Sequence, residues 1–498
     1  MKKIKLIIPI IALTLFSCSD YLDVNTSPNN AVGSQVTPNL ALAAAQSNTY
    51  RTLARNGNIF GNLMLNNWGY NVNSFAVTSP EEFTLAFTNN TYAAIWDGLF
   101  TASSNLSNII NHPSTVHDNH KAIAKICKSY YFQYLVDMYG DIPYTEAHMG
   151  SNNLTPAYDD DQAIYRDLVL QIDEAIAMIQ NPAAGTITVG AEDVVMNGDM
   201  SSWVKFGNSL KMRLLLRQSE MTDGETQSYL STEFASLANA SFIDEDVTIN
   251  PGYDNSKDDR QNPYYNMFFE VDGTTDKQLY RQYRAAEFFA LELEDAPKDP
   301  RRSRLFTPIA GSIVGVRQGD ASAVGGGTAP ADISKIGTGL IKNSGQDGYM
   351  MTLAEGLLLQ SEAALKGYMA GDAQALFNQA ILASMAQLGA TPGDYVTDIN
   401  TILGKGFGAF GATDRDKLEA IMYQKKVAVA GTNALEVYIE YTRTGFIDTI
   451  PLVAGVAQQP NRPRRLLYPN SEYVGNAANL PQQSLTDIFT TGPFWFVP

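Results

Sequence analysis

In 498 residues the sequence has only two cysteines and four histidines. Two cysteines cannot build a disulfide framework. Four histidines leave little material for imidazole-based metal or acid–base sites. Positive charge is also scarce: 35 Lys and Arg stand against 52 Asp and Glu, a net charge of −17. A phosphate backbone needs a basic face, so nucleic acid is not expected as a partner. No apolar run reaches the ~20 residues that span a bilayer. Apolar residues make up 45 %, enough for a full core and against wholesale disorder. Tyr is the commonest aromatic, 25 against 22 Phe. A Tyr ring can stack while its hydroxyl stays wet, which suits a binding surface and equally a core edge.

The N-terminus carries an address. Lys2, Lys3 and Lys5 precede an apolar run from Leu6 to Phe16, the form of a secretory signal. Leu15-Phe16-Ser17-Cys18 resembles a bacterial lipobox, with Phe16 where a small residue is usual. Cys18 would then be acylated and hold the mature chain to a lipid bilayer. A plain signal peptide cut elsewhere is the alternative. Ser19-Asp20-Tyr21-Leu22-Asp23 reads either as a surface-export signal or as a solvated tether. Cys127 is left without a partner in an apolar helical stretch and is expected to be a buried, inert thiol.

Capping residues and apolar periodicity predict helices over 39–55, 91–111, 118–138, 160–180, 200–221, 225–239, 277–293, 352–366, 372–388, 394–403, 414–429 and 434–443. Residues 241–350 are richer in Gly, Asp, Asn and Pro, and 446–498 read as ordered loop. Trp203-x-x-Phe206-Gly207-x-x-Leu210 fits the first helix of a tetratricopeptide unit, and Ala373, Phe377 and Ala380 fit the second. The expected fold is mainly α. Irregular tetratricopeptide-like helix pairs would form a right-handed superhelix in a single large domain with long loop insertions. The expected division is a signal peptide over 1–17, a tether over 18–36, and one domain over 37–498. Within that domain 37–240 and 351–445 are helical repeats, 241–350 is a loop-rich ligand-facing part, and 446–498 is the C-terminal loop region.

Four segments carry a resemblance. Glu436-Val437-Tyr438-Ile439-Glu440-Tyr441-Thr442-Arg443-Thr444-Gly445 resembles the Glu-x-Trp-x-Glu-x-x-Arg-Thr-Gly helix of SusD/RagB-type outer-membrane nutrient-binding lipoproteins, with Tyr438 in place of Trp. Pro463-Arg464-Arg465-Leu466-Leu467-Tyr468-Pro469-Asn470-Ser471-Glu472 is similar to their Pro-x-Arg-x-x-Tyr-Pro-x-x-Glu segment. Tyr139-Gly140-Asp141-Ile142-Pro143-Tyr144 and Asp20-Tyr21-Leu22-Asp23 match two further family segments in the expected order. The resemblance implies an outer-membrane protein, facing the cell exterior, that captures a nutrient. It would pass that nutrient to a SusC-like TonB-dependent transporter, and it implies no catalytic machinery. The nutrient it implies is an oligosaccharide or polysaccharide, with peptides or another nutrient as the alternative. A surface-anchored hydrolase and a pure tetratricopeptide adaptor are the readings from other classes.

A sugar presents C–H faces to aromatic rings and hydroxyls to amides and carboxylates, so its site needs exposed aromatics in loops beside polar side chains. Asn66, Asn67, Trp68 and Tyr70 meet that description, though a Trp capping the core at a helix end reads the same. Arg260, Asn262, Tyr264 and Tyr265, with Tyr280 and Tyr283 further on, form the central candidate, against core-edge packing of tyrosines. No cofactor is expected. Asp254, Asp258 and Asp259, near Asp244, Glu245 and Asp246, are oxygen-rich enough for a structural calcium, but EF-hand spacing is absent and a solvated acidic loop is favoured. His112, His117 and His120 cluster without completing a zinc set. Gly406-x-Gly408-x-x-Gly411 follows a predicted helix, where a dinucleotide site needs a strand.

Overall fold

The computed structural model describes residues 36–71, 80–317, 330–453 and 456–498. The signal peptide, Cys18 and the acidic segment after it lie outside the described residues. The chain opens with α1 (Pro38–Thr52), a π-turn (Leu53–Gly57) and α2 (Asn58–Met64), followed by a short strand β1 (Trp68–Tyr70). Four long helices come next: α3 (Ala93–Ile110), α4 (Asp118–Tyr139), α5 (Asp161–Gln180) and α6 (Met200–Arg217), then α7 (Gly224–Ser236). The loop-rich centre holds β2 (Val247–Ile249), α8 (Gln278–Gln282), β3 (Tyr283–Ala285), α9 (Glu287–Glu294) and β4 (Gly348–Met351). Helices return as α10 (Leu353–Leu365), α11 (Ala373–Leu388), α12 (Asp414–Val429) and α13 (Ala434–Arg443).

The helix starts are set by side-chain caps. Asp160, Asp199, Asp223, Thr352 and Asp372 each accept from a backbone N–H of the first turn, and Thr413 with Asp416 forms a capping box. Neighbours in sequence pack as pairs: α3 with α4, α4 with α5, α5 with α6, and α10 with α11. The tetratricopeptide signature explains one close approach. A Cβ at Gly207 would stand 3.2 Å from Ile176, so only glycine lets α6 lie that near α5. Cys127 is fully buried in α4, and burial raises its thiol pKa well above the usual range.

The helix predicted over 277–293 is broken. Tyr283–Ala285 leaves the helix to pair antiparallel with β1, Trp68 opposite Ala285 and Tyr70 opposite Tyr283. Local propensity yields there to tertiary pairing. Likewise 394–403 keeps only a short helix over Tyr395–Ile399. A second antiparallel pair joins β2 to β4, with a bulge between Val247 and Thr248. The main core fills the helix pairs, and a second apolar cluster underlies the central loops around Trp68, Phe268, Phe289 and Phe306.

The family segments are structural stitching. Glu436, Glu440 and Arg443 recur on one face of α13 and are all buried. There they meet Arg213 and Arg217 of α6, Glu362 of α10 and Lys425 of α12. The C-terminal segment clasps the Tyr139–Asp141 turn. Leu466 donates its N–H to Met138 O at 2.7 Å, and Tyr468 Oη donates to Asp141 O at 2.8 Å.

A candidate ligand-binding face

The early candidate residues are placed together but turned inward. Trp68 is fully buried, stacked on Tyr283 at 5.5 Å and edge-on to Phe268 at 6.1 Å. Tyr70 packs against Phe83 at 5.2 Å and Tyr283 at 5.4 Å, its hydroxyl 3.4 Å from Glu82. Asn66 donates to Pro451 O at 2.8 Å, and Asn67 donates to Asn62 at 3.1 Å. The expectation of an exposed aromatic loop is therefore corrected here. Pairing of β1 with β3 drives Trp68 and Tyr283 into the second core, where burying each ring removes it from water.

The central candidates divide. Asn262 is fully buried with its amide used locally: Oδ1 accepts from the N–H of Tyr264 (2.9 Å) and Tyr265 (3.0 Å), and Nδ2 donates to Gln346 O (3.0 Å). It clamps the 262–265 turn to the 343–346 turn, so it positions other residues. Tyr265 stacks on Phe269 at 5.3 Å and is buried. Tyr280 is half-buried, with Lys335 5.1 Å from its ring centre. Tyr264 and Arg260 do line cavities.

Tyr264 forms part of a cavity of about 250 Å³ together with Tyr50, Tyr349, Lys342, Gln346, Asp347 and Gln387. Tyr349 is half-buried and is held from below: its N–H donates to Tyr50 Oη at 3.1 Å. That approach needs Gly348, where a Cβ would stand 2.4 Å from the Tyr50 ring. Lys342 Nζ lies 3.3 Å from Tyr349 Oη. Two polar atoms of this lining, Tyr264 Oη and Gln387 Oε1, are buried without a hydrogen-bond partner among the described residues. Such groups cost free energy unless paired, so a hydroxyl-bearing guest would stabilise them. The size lies just below the ~300–1,000 Å³ of ordinary small-molecule pockets. It suits one segment of a chain ligand.

A second depression of about 330 Å³ is lined by Asn48, Arg51, Tyr253, Asp259, Arg260 and Gln261, among others. The loops between the two are built by Asn250. Its Nδ2 donates to Gly345 O (3.1 Å) and Asp347 (2.8 Å), while Oδ1 accepts from Gly252 and Tyr253 N–H at 3.0 and 2.9 Å. Tyr50, Tyr253 and Tyr349, with Lys342, Gln346 and Gln387, escaped the sequence reading. The usable signal was a polar turn, Asn343-Ser344-Gly345-Gln346-Asp347-Gly348, ending in a Tyr that opens a strand.

The acidic loops do not converge on an ion site. Asp254 pairs with Arg260 at 3.0 Å, Asp258 with Lys277 at 2.5 Å and Asp244 with Lys205 at 2.6 Å. Among the described residues, the carboxylates close enough to share an ion are Asp141, Asp160 and Asp161, and none of them lines either cavity. The clustered histidines turn to separate neighbours: His117 Nδ1 lies 2.7 Å from Ser114 Oγ, and His120 Nε2 lies 3.0 Å from Glu192.

The sequence matches a SusD-like family described as starch-binding and associating with the outer membrane, over residues 28–469. No curated protein matches it. Solved structures share the fold. A chitin-binding protein is 25 % identical, with 92 % of this chain and 99 % of that chain aligned and a TM-score of 0.71. A chitin-binding SusD homolog from Flavobacterium johnsoniae is 22 % identical, covering 91 % and 97 %, at 0.69. A SusD-like protein from Bacteroides thetaiotaomicron is 22 % identical, covering 89 % and 94 %, at 0.70. Buried family segments, a mainly helical fold shared almost end to end, and a match over most of the length place this chain in the SusD-like family.

Proposed function

We propose that this protein is a lipid-anchored binder on the outer face of the outer membrane. It captures an oligosaccharide or polysaccharide and delivers it to a SusC-like TonB-dependent transporter, performing no chemistry of its own. The observation that carries the glycan is the cavity around Tyr349. It offers a half-buried ring, the amide of Gln387, the carboxylate of Asp347, and the unpartnered Tyr264 Oη. Rings for C–H faces and amides for hydroxyls are what sugar recognition asks for. Each cavity lining holds one carboxylate, Asp347 in the first and Asp259 in the second, where glycoside hydrolysis canonically uses a facing pair, which supports binding over hydrolysis.

No helix among the described residues is long and apolar enough to cross a membrane. The lipobox-like Leu15-Phe16-Ser17-Cys18 supports attachment through acylated Cys18, which would hold the binder beside its transporter at high effective concentration. The test is calorimetric titration of the protein with starch- and chitin-derived oligosaccharides, together with Tyr349→Ala. Binding that Tyr349→Ala weakens at least tenfold supports the assignment. Binding indifferent to Tyr349 removes this cavity, and release of reducing ends would remove the non-enzymatic reading. Copurification with a TonB-dependent barrel tests delivery.

A further inference from the structure

The second depression differs from the first in charge. Arg51 is exposed at the end of α1, and no carboxylate among the described residues lies within ion-pair distance of it. Arg55, four residues on, has no carboxylate within ion-pair distance among the described residues, and Asp258 acts on it only from further away. Its Nη1 donates to Asn266 Oδ1 at 2.8 Å and to Pro263 O at 3.5 Å. Burial, and then the charge of Arg51, lower the pKa of Arg55, with the carboxylate of Asp258 opposing them. The two guanidiniums repel each other, and an anion between them would relieve that repulsion. Across the depression stands Arg260, whose pair with Asp254 is exposed on both sides and therefore weak. Asp259 is the single carboxylate in a lining that holds Arg51 and Arg260.

The two depressions are neighbours. Tyr253 lines the second and Gly345 the first, and a Cβ on Gly345 would stand 3.0 Å from Tyr253 O. One extended ligand can thus touch both. We propose that the Arg51–Arg260 depression is an anion subsite that receives the carboxylate of a uronic-acid residue, while the neighbouring residue of the same glycan lies against Tyr349. A guanidinium fork pairs with a planar carboxylate through two charge-assisted hydrogen bonds. The ring of Tyr253 forms part of the same wall. This inference rests on the glycan-binding reading.

The test compares oligogalacturonides with their methyl esters, in which each carboxylate is replaced by an uncharged ester. The detergent-solubilised lipoprotein is titrated with both, and with neutral chito- and malto-oligosaccharides. The free acid is expected to bind at least tenfold more tightly than the ester at low salt, the difference shrinking as salt rises. The double variant Arg51→Gln/Arg260→Gln should erase the difference between acid and ester and leave the melting temperature unchanged, since both side chains are exposed. Equal affinity for acid and ester overturns the subsite. A preference that survives the double variant also overturns it, because the carboxylate then binds elsewhere. Binding of neutral glycans without any acid preference removes this inference and keeps the broader reading. Failure of every glycan to bind removes both.

Discussion

Arg217 on α6 and Glu436 on α13 meet in a buried fork, Arg217 Nη2 lying 2.9 Å from each carboxylate oxygen with neither side chain reaching solvent. Around the fork, Glu440 pairs with both Arg217 and Arg443, and Arg443 also reaches Glu362 at 2.8 Å. Three helices distant in sequence, α6, α10 and α13, are fixed to one another by charge. Desolvation makes such a cluster a poor source of net stability, yet removing one partner leaves an orphan charge. Glu436→Ala should therefore cost about 3–5 kcal/mol in denaturant unfolding. Replacing Arg217 and Glu436 together by Met and Leu should cost clearly less than the two single changes added. Additive losses would show that the fork is not a coupled unit.

Acid titration separates two glutamates of this cluster. Burial pushes Glu436 up, but Arg217, Arg213 and Lys425 outweigh it and hold its carboxyl well below the usual range. A depressed carboxyl contributes stability above its unfolded value of about 4.3, and the contribution is lost as pH falls through the folded value. Glu355 is the reverse case: burial outweighs Arg213 and Lys425 and raises it. Its contribution is present below about 4.3 and lost as pH rises through the raised value. At pH 7, Glu436→Gln is thus expected to destabilise far more than Glu355→Gln, and the gap should narrow by pH 4. Urea unfolding of both variants at the two pH values decides this. Equal costs at pH 7 would contradict the assigned directions.

Much of the helical frame was legible in the sequence because it is local: Asp160, Asp199 and Asp223 announce their helices by capping them. The family segments were legible as patterns but their role was not. Glu436, Glu440 and Arg443 look like a solvated helix face until partners on α6 and α10, more than 70 residues away in sequence, close over them. Tyr283 is opaque for a related reason, since its strand exists only through pairing with β1, where Tyr70 lies opposite it. Of the site, Tyr264 and Arg260 were found by composition. Tyr349 and Arg51 were missed because only the fold brings the 343–349 turn and the end of α1 to one face.

Trp68 and Tyr349 should trade roles in an alanine pair. Trp68→Ala empties a fully buried ring site in the second core and is expected to cost about 3–5 kcal/mol. Tyr349→Ala removes a half-buried ring and should barely move the melting temperature while lowering glycan affinity. Scanning calorimetry and ligand titration on both variants give the readout. A normal melting temperature with lost affinity in Trp68→Ala would return that residue to the ligand face.

Asn262 is a clamp whose loss should be felt at a distance. Asn262→Ala removes three hydrogen bonds, two that close the 262–265 turn and one that ties it to Gln346 O. A loss of about 1–3 kcal/mol in stability follows from the partners left unpaired. Because Gln346 and Tyr264 line the cavity, affinity should fall too, and Asn262→Asp should rescue part of both, since Oδ1 still accepts from the two N–H groups. Affinity lost with unchanged stability would instead make Asn262 a direct ligand contact.

The two cysteines should behave oppositely. Cys18 is the proposed acylation site, so Cys18→Ala should move the protein from the membrane fraction to the soluble fraction and abolish metabolic labelling with a fatty-acid probe. Cys127 sits fully buried in α4 with its thiol pKa raised by desolvation. The nucleophile is the thiolate, so a buried thiol of raised pKa reacts slowly. In Cys18→Ala, the aromatic disulfide reagent DTNB should therefore titrate no thiol in native buffer and one thiol in 6 M guanidinium. Rapid native labelling would mean that α4 opens readily from its neighbours. Membrane retention of Cys18→Ala would mean that an anchor other than the acyl chain holds this protein at the surface.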